Sequence, residues 1–163
     1  MKHILEKKEV IKKILSEENF LIIQDLDGVC IPLVQDPLKR KINKKYVEAT
    51  STLDGKFSVL TCGEHEGRRG VNRLVEKSLN SATKASREGL YLPGLAACGV
   101  EFQDRFGNVS HPGLENNEIK FLSEVPNKMK FLLSSELKIL LKNTTKRERS
   151  SLIDVAVCDT RFT

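Results

Sequence analysis

The sequence predicts an α/β fold built around a parallel β-sheet. Two short apolar runs, at residues 20–23 and 57–60, are each followed by a stretch whose apolar side chains recur at helical spacing. Runs of this length are too short to span a membrane and are typical of strands inside a sheet. Because strands and helices alternate, we expect parallel strands with helices packed on them and ligands at the carboxyl ends of the strands.

The composition is that of a chain that folds around a core and prefers anionic partners. Of its 163 residues 39% are hydrophobic, and the net charge is +5. Phosphate esters suit this charge. Nucleic acid is not expected as a partner, because only 6% of residues are aromatic and none alternate regularly with basic residues. No signal peptide or membrane-length apolar run is visible, which predicts a cytoplasmic protein without a membrane partner.

An amphipathic helix is predicted over residues 2–18, before the first strand. That strand, residues 20–23, is expected to be buried on both faces. Asp25, Asp27 and Gly28 follow it, and side-chain alternation places the two carboxylates on the same side. Such carboxylates repel each other unless a cation lies between them, and Mg²⁺ favours these oxygen ligands. Gly28 allows a sharp turn that directs backbone N–H groups toward an anion.

A second polar group is expected at the same edge of the sheet. Thr61, Cys62 and Gly63 follow the second strand, and the carboxyl ends of parallel strands lie together. We therefore expect Thr61, with the backbone of Cys62 and Gly63, to bind phosphate beside Asp25 and Asp27. The alternative role of Thr61 is to cap the next helix, and the two roles are compatible because helix N-termini attract phosphate.

The connections around these strands are predicted to be a loop and two helices. Residues 31–38 contain two prolines and predict a loop beside the site. The basic residues after it could contact a phosphate or could form a solvated turn; they are Lys39, Arg40 and Lys41. Helices are predicted over residues 39–53 and 66–80. Glu64 and His65 are interpreted as exposed first-turn residues of the second helix, and Arg68 and Arg69 as possible substrate contacts.

The second half of the chain predicts a hairpin, helices and a further strand. Alternating residues around a turn at 104–108 predict the hairpin, which follows an apolar stretch at 90–99. Helix-forming residues fill 116–142, where Pro126 is expected to separate two helices. Residues 152–160 predict the strand. The cysteines are expected to be small buried residues in a reducing compartment, not disulfides or zinc ligands; they are Cys30, Cys62, Cys98 and Cys158.

The Asp-x-Asp-Gly motif at 25–28 resembles the first motif of the haloacid dehalogenase-like phosphatases. Residues 24–30 (Gln-Asp-Leu-Asp-Gly-Val-Cys) and 32–40 (Pro-Leu-Val-Gln-Asp-Pro-Leu-Lys-Arg) are similar to the cyanobacterial glucosylglycerol 3-phosphate phosphatases, a salt-tolerance branch of that superfamily. The resemblance covers the whole chain but only the front part of such an enzyme. It implies an incomplete Rossmannoid parallel sheet, with core residues 1–98, and a hairpin and partial α/β cap at 99–163.

The resemblance also implies residue roles. Asp25 would be the nucleophile that forms an aspartyl-phosphate, and Asp27 the general acid and base. Mg²⁺ would be bound by Asp25 and the backbone carbonyl of Asp27, and Thr61 would hold the phosphoryl group. The implied substrate is a small sugar or polyol phosphate, glucosylglycerol 3-phosphate, whereas the residues alone predict only a phosphate monoester. The oligomeric state stays open.

Such an enzyme also needs a lysine and further acidic metal ligands, which in the resembling family follow the cap. We therefore expect this chain to be an N-terminal portion that is inactive alone. A second hypothesis is a compact phosphatase, completed by Asp159 and by Lys128, Lys130 or Lys142. Three more hypotheses are a phosphatase for sucrose or trehalose phosphate, a non-catalytic remnant that binds phosphate or a partner, and a basic nucleic-acid-binding domain.

Overall fold

The fold is α/β, in a computed structural model that describes residues 2–157, except for the side chains of residues 2–6 and 15. Within this range the strands lie side by side in chain order in one sheet: β1 (Ile22–Asp25), β2 (Phe57–Leu60), β3 (Gly94–Ala96), β4 (Glu101–Gln103) and β5 (Val109–Ser110). β1, β2 and β3 are parallel, whereas β3, β4 and β5 pair antiparallel. The predicted fold class, parallel strands and hairpin are confirmed.

The structure also contains six α-helices within the described residues. Their bounds are α1 (Lys2–Ser16), α2 (Lys44–Ser51), α3 (Val71–Leu79), α4 (Ala82–Arg87), α5 (Asn116–Leu140) and α6 (Lys146–Ala156), with 3₁₀ turns at Pro37–Lys39 and Ala97–Gly99. Capping residues set several helix starts. The Asn43 side chain accepts a hydrogen bond from the Lys45 N–H, and Thr145 and Glu148 form a capping box. Asn80 ends α3 in the left-handed conformation that asparagine tolerates.

The core lies on one face of the sheet. Phe57 and Val59 of β2 are buried there with Val47 of α2, Leu74 of α3 and Ala85 of α4. The close approach of β2 and β3 requires a glycine at position 94, whose φ is +139° and where an added Cβ would lie 2.2 Å from the Val59 carbonyl oxygen.

The opposite face of the sheet is largely uncovered within the described residues. Ile23 is 64% exposed and Leu60 is 48% exposed, and Leu95 and Phe102 continue this apolar surface in register across β3 and β4. The prediction that the first strand is buried on both faces is therefore wrong. An apolar run predicts a strand, but its burial depends on a second layer, which the described elements do not supply here.

Three further element predictions are corrected. The helix expected at 66–80 begins at Val71, because Gly67 and Gly70 occupy the preceding turns. The polar segment 81–89, for which no element was predicted, contains α4, which Ser81 caps. Pro126 lies inside one continuous helix, since helix formers flank it and proline removes a single hydrogen bond.

The strand expected at 152–160 is helix α6 as far as Ala156, and residues 158–163 lie outside the description. The capping box at Thr145 starts a helix that continues through this short apolar run, whose periodicity alone does not distinguish strand from helix. No helix among the described residues is both long and apolar enough to cross a membrane.

Candidate functional site

Two parallel strands bring the predicted polar residues to one edge of the sheet. Asp25 is the last residue of β1 and pairs in register with Leu60, the last residue of β2, so Thr61 follows directly beside it. The Thr61 hydroxyl Oγ1 donates a hydrogen bond to Asp27 Oδ2 over 3.3 Å. The expected convergence of these side chains is therefore present in the structure.

A tight loop positions Asp27. The backbone N–H groups of Cys30 and Ile31 donate to the carbonyl oxygen of Leu26, at 3.0 and 2.9 Å, and Leu26 is fully buried. Gly28, at φ +78°, permits this turn. Its N–H, which we expected to face an anion, donates to the Ile31 carbonyl oxygen over 2.8 Å. In this conformation Gly28 shapes the loop that holds Asp27.

Thr61 is buried, with 5% of its surface exposed, and its hydroxyl has two partners. Besides donating to Asp27, Oγ1 accepts a hydrogen bond from the Gly63 N–H over 3.2 Å. The alternative role of Thr61 as a helix cap is wrong, because α3 begins only at Val71. Thr61 instead links the turn after β2 to the loop after β1.

Arg40 supplies positive charge to the site. Its Nη1 lies 2.9 Å from Asp27 Oδ1 in a partly buried ion pair. The loop that carries it is fastened to α3, because the Arg73 guanidinium donates to the carbonyl oxygens of Pro37 and Leu38 at 3.2 and 3.1 Å. The sequence offered three adjacent basic residues as phosphate contacts, and the structure places Arg40 against Asp27. Nothing in the sequence pattern marked Arg73 as the residue that fastens this loop.

The oxygen donors at this edge suit a hard cation in part. The Asp25 side chain is exposed, and the backbone carbonyl of Asp27 lies two residues farther along the same turn. Mg²⁺ is commonly held by one or two carboxylates together with waters and a substrate phosphate. Among residues 2–157 no group of three or more His, Cys, Asp or Glu side chains could hold a metal ion. The donors therefore fit magnesium only together with water and phosphate oxygens.

Two cysteines lie at this edge. Cys62 follows Thr61, Cys98 lies in the turn after β3, and both are exposed. The prediction that these cysteines are buried is wrong, because both belong to turns beyond the strand ends. The pKa of the Cys62 thiol is raised, since the Cys98 thiol is its hydrogen-bond partner and the carboxylates of Asp25 and Asp27 lie nearby.

Glu64 and His65 are buried outside any helix, so their interpretation as exposed helix residues is wrong. The His65 N–H donates to Glu101 Oε1 over 2.6 Å, and His65 Nε2 lies 3.0 Å from the Gly94 carbonyl oxygen. Burial lowers the pKa of the His65 imidazole, although Gly94 and Glu101 oppose the shift. His65 thus connects the chain after Thr61 to strands β3 and β4.

A cavity of about 650 Å³ lies on the loop that precedes Arg40. Arg68 and Arg69 line it, together with Lys130 of α5 and Arg147 of α6. Lys130 also pairs with Asp154 over 3.4 Å. Of the lysines considered for a compact site, Lys128 pairs with Glu124 within α5, and Asp159 lies outside the described residues.

Comparison with known proteins identifies a family and a relative of this chain. The sequence profile of the glucosylglycerol-phosphate phosphatases matches residues 19–163. The chain is also 57% identical over 112 residues to a glucosylglycerol-phosphate phosphatase from Synechocystis. The aligned region is 69% of this chain and 26% of that relative, so the chain spans about a quarter of the relative's length. Because the profile covers most of the chain, the chain belongs to the glucosylglycerol-phosphate phosphatase family.

Proposed function

We propose that this edge of the sheet belongs to a magnesium-dependent phosphatase whose substrate is glucosylglycerol 3-phosphate. The observation that carries the proposal is the convergence of Asp25, Asp27 and Thr61, with the Thr61 hydroxyl bonded to Asp27. Membership in the family supports the choice of reaction. The product would be glucosylglycerol, a compatible solute made in the cytoplasm for salt tolerance.

Asp25 is the proposed nucleophile, because its carboxylate is exposed at the end of β1 and can approach a phosphate from solvent. One carboxylate oxygen attacks phosphorus, and the bond between phosphorus and the leaving oxygen breaks, which produces an aspartyl-phosphate. Water then attacks the phosphorus atom, and the bond to Asp25 breaks to release inorganic phosphate. Removal of this carboxylate would therefore stop both steps.

Asp27 is the proposed acid and base. In the first step it gives a proton to the leaving oxygen, and in the second it takes a proton from water. In the structure the Arg40 guanidinium pairs with the Asp27 carboxylate over 2.9 Å. A bound phosphate dianion competes for the same guanidinium, so we expect Arg40 to contact phosphate in the substrate complex, which leaves Asp27 free to take a proton.

The remaining groups would bind substrate and cation. Thr61 and the backbone N–H groups of Cys62 and Gly63 would hold phosphoryl oxygens. Mg²⁺, held by Asp25 and the backbone carbonyl of Asp27, would neutralise negative charge on the phosphate. We also propose that residues 1–98 form part of the phosphatase core and that residues 99–163 begin a cap.

The test is magnesium-dependent phosphate release by this chain alone and by this chain extended with the remaining part of the Synechocystis relative, each with and without Asp25→Asn. The chain alone is expected to be inactive, and the outcomes below are those of the extended protein. The substrates are glucosylglycerol 3-phosphate, sucrose 6-phosphate, trehalose 6-phosphate and an aryl phosphate. We expect release from the first, a fall of roughly 10³-fold or more in Asp25→Asn, and no change in Asp54→Asn, an exposed carboxylate elsewhere in the fold.

Each different outcome has a defined meaning. Preferred release from sucrose or trehalose phosphate would assign a different substrate to the same chemistry. Binding of phosphate without release from any ester would overturn the enzymatic proposal in favour of a non-catalytic phosphate-binding protein. Unchanged turnover in Asp25→Asn would remove Asp25 from the mechanism.

A further inference from the structure

The edge that carries Asp25 and Asp27 also carries two thiols that the proposed hydrolysis does not use. Cys62 and Cys98 are 36 positions apart in the chain, yet they lie in the turns that follow the neighbouring strands β2 and β3. The Cys98 thiol is close enough to raise the pKa of the Cys62 thiol. Both are exposed, so a small oxidant can reach them. Two accessible thiols at neighbouring strand ends are placed to form a disulfide with each other.

Backbone hydrogen bonds also hold the chain segments that carry Cys62 and Cys98 close together. The Thr61 N–H donates to the Leu95 carbonyl oxygen over 3.1 Å, and the Ala97 N–H donates to the Gly63 carbonyl oxygen over 2.8 Å. The two chain segments therefore stay hydrogen-bonded to each other beyond the last paired residues of β2 and β3. Cys62 lies between these two hydrogen bonds, and Cys98 directly follows Ala97.

The turn that carries Cys98 has an unusual backbone. Ala97 and Cys98 have φ angles of 49° and 55°, and with Asn80 they are the non-glycine residues of positive φ in the described part of the chain. Two successive left-handed residues other than glycine are unfavourable, and such conformations concentrate at functional sites. The turn brings Cys98 back toward Cys62, although neither Ala97 nor Cys98 favours this conformation.

We propose that Cys62 and Cys98 form a reversible disulfide that closes the phosphate-binding edge of the site. With hydrogen peroxide as oxidant, one thiolate attacks a peroxide oxygen and becomes a sulfenic acid, and hydroxide leaves and takes up a proton. The second thiol attacks the sulfenic sulfur and releases water, so two thiols and one peroxide yield one disulfide and two waters. A dithiol reverses the reaction by exchange.

The consequence for the site follows from the position of Cys62 next to Thr61. A disulfide would tie the turn at 61–63 to the turn after β3 and restrict the movement by which the Thr61 hydroxyl and nearby N–H groups adapt to a phosphate. Formation of the disulfide does not depend on the proposed hydrolysis, whereas this effect rests on the proposed phosphate site.

The first measurement maps the disulfide. All proteins carry Cys158→Ser, because Cys158 lies outside the described residues. After treatment with peroxide we expect the loss of two thiols, a monomer lighter by two hydrogens, and a link between the tryptic peptides 57–68 and 88–105. Dithiothreitol should restore both thiols. Cys62→Ser and Cys98→Ser should form no internal link, and Cys30→Ser should behave as the parent protein.

The second measurement determines the affinity for inorganic phosphate, with Mg²⁺ present, before and after oxidation. We expect about tenfold weaker binding in the oxidised protein, as the loss of one hydrogen bond to a charged group implies, with recovery on reduction and no oxidant effect in Cys98→Ser. Links between different cysteines, or between chains, would overturn the disulfide. If the disulfide forms but the affinity for phosphate is unchanged, the proposed closure of the phosphate-binding edge is wrong. If the reduced protein does not bind phosphate, the proposed phosphate site is wrong, whereas the disulfide itself is unaffected.

Discussion

Thr61 shows how one side chain can join two loops of a site. Its hydroxyl donates to Asp27 and accepts from the Gly63 N–H. Thr61→Val keeps the shape of the side chain but removes both hydrogen bonds within a buried position. We expect a loss of about 1–2 kcal/mol in the free energy of unfolding and about tenfold weaker phosphate binding. Denaturant unfolding and phosphate titration measure these two quantities.

Thr61→Ser is the matched control for this prediction, because it keeps the hydroxyl and removes a methyl group. It should retain phosphate affinity close to that of the parent protein. If the valine and serine variants bind phosphate equally well, the Thr61 hydroxyl has no role in the site.

The convergence of Asp25, Asp27 and Thr61 could be predicted from the sequence, because two apolar runs separated by a helical pattern dictate parallel strands that end at one edge. The sequence could not predict that Arg40, and not Lys39 or Lys41, pairs with Asp27, because the three residues are adjacent and equally charged. His65 was misinterpreted because it is held in the interior by contacts with Gly94 and Glu101, which lie 29 and 36 positions later in the chain.

At the scale of elements, a buried pair of amides connects α3 to β4. Asn72 Nδ2 donates to Gln103 Oε1 over 2.6 Å, and Gln103 Nε2 donates to Asn72 Oδ1 over 3.0 Å. Gln103→Leu leaves the Asn72 amide buried without this partner, and we expect a loss of about 2 kcal/mol in the free energy of unfolding. Denaturant unfolding of both single variants and the double leucine variant provides the measurement.

In the double variant both polar groups are removed together. We therefore expect its loss of stability to be smaller than the sum of the single losses by about 1–2 kcal/mol. Additive losses would show that Asn72 and Gln103 contribute separately and that the pair does not connect α3 to β4.

Elements with strong local signals could be predicted, and those that depend on context could not. The hairpin at 104–108 was predictable because the Asp104 carboxylate accepts hydrogen bonds from the Phe106 and Asn108 N–H groups, a turn that the local sequence encodes. The segment at 152–156 was wrongly predicted as strand because a short apolar run fits either structure, and the upstream cap at Thr145 decides in favour of helix.

At the scale of the whole molecule, one face of the sheet is packed and the opposite face is exposed among the described residues. The same apolar runs that predicted the strands also suggested burial on both faces, yet burial depends on a second layer that no local pattern specifies. The apolar side chains of Ile23, Leu60 and Phe102 lie on the exposed face, on the side away from α2, α3 and α4. The sequence therefore predicted the fold class. It could not predict whether the described helices cover one face of the sheet or both.

The central claim is that Asp25 receives a phosphoryl group. It is tested most directly in Asp27→Asn of the chain extended with the remaining part of the Synechocystis relative, because this variant lacks the proposed base and should accumulate the intermediate. The substrate is an aryl phosphate, whose leaving group does not need to be protonated, and it is supplied with Mg²⁺. The reaction is stopped at low pH. The tryptic peptide 14–39 is then analysed by mass spectrometry. We predict one phosphoryl group, on Asp25, and none when Asp25→Asn is added. Phosphoryl transfer to a different residue, or labelling that persists in the double variant, would contradict the proposed mechanism.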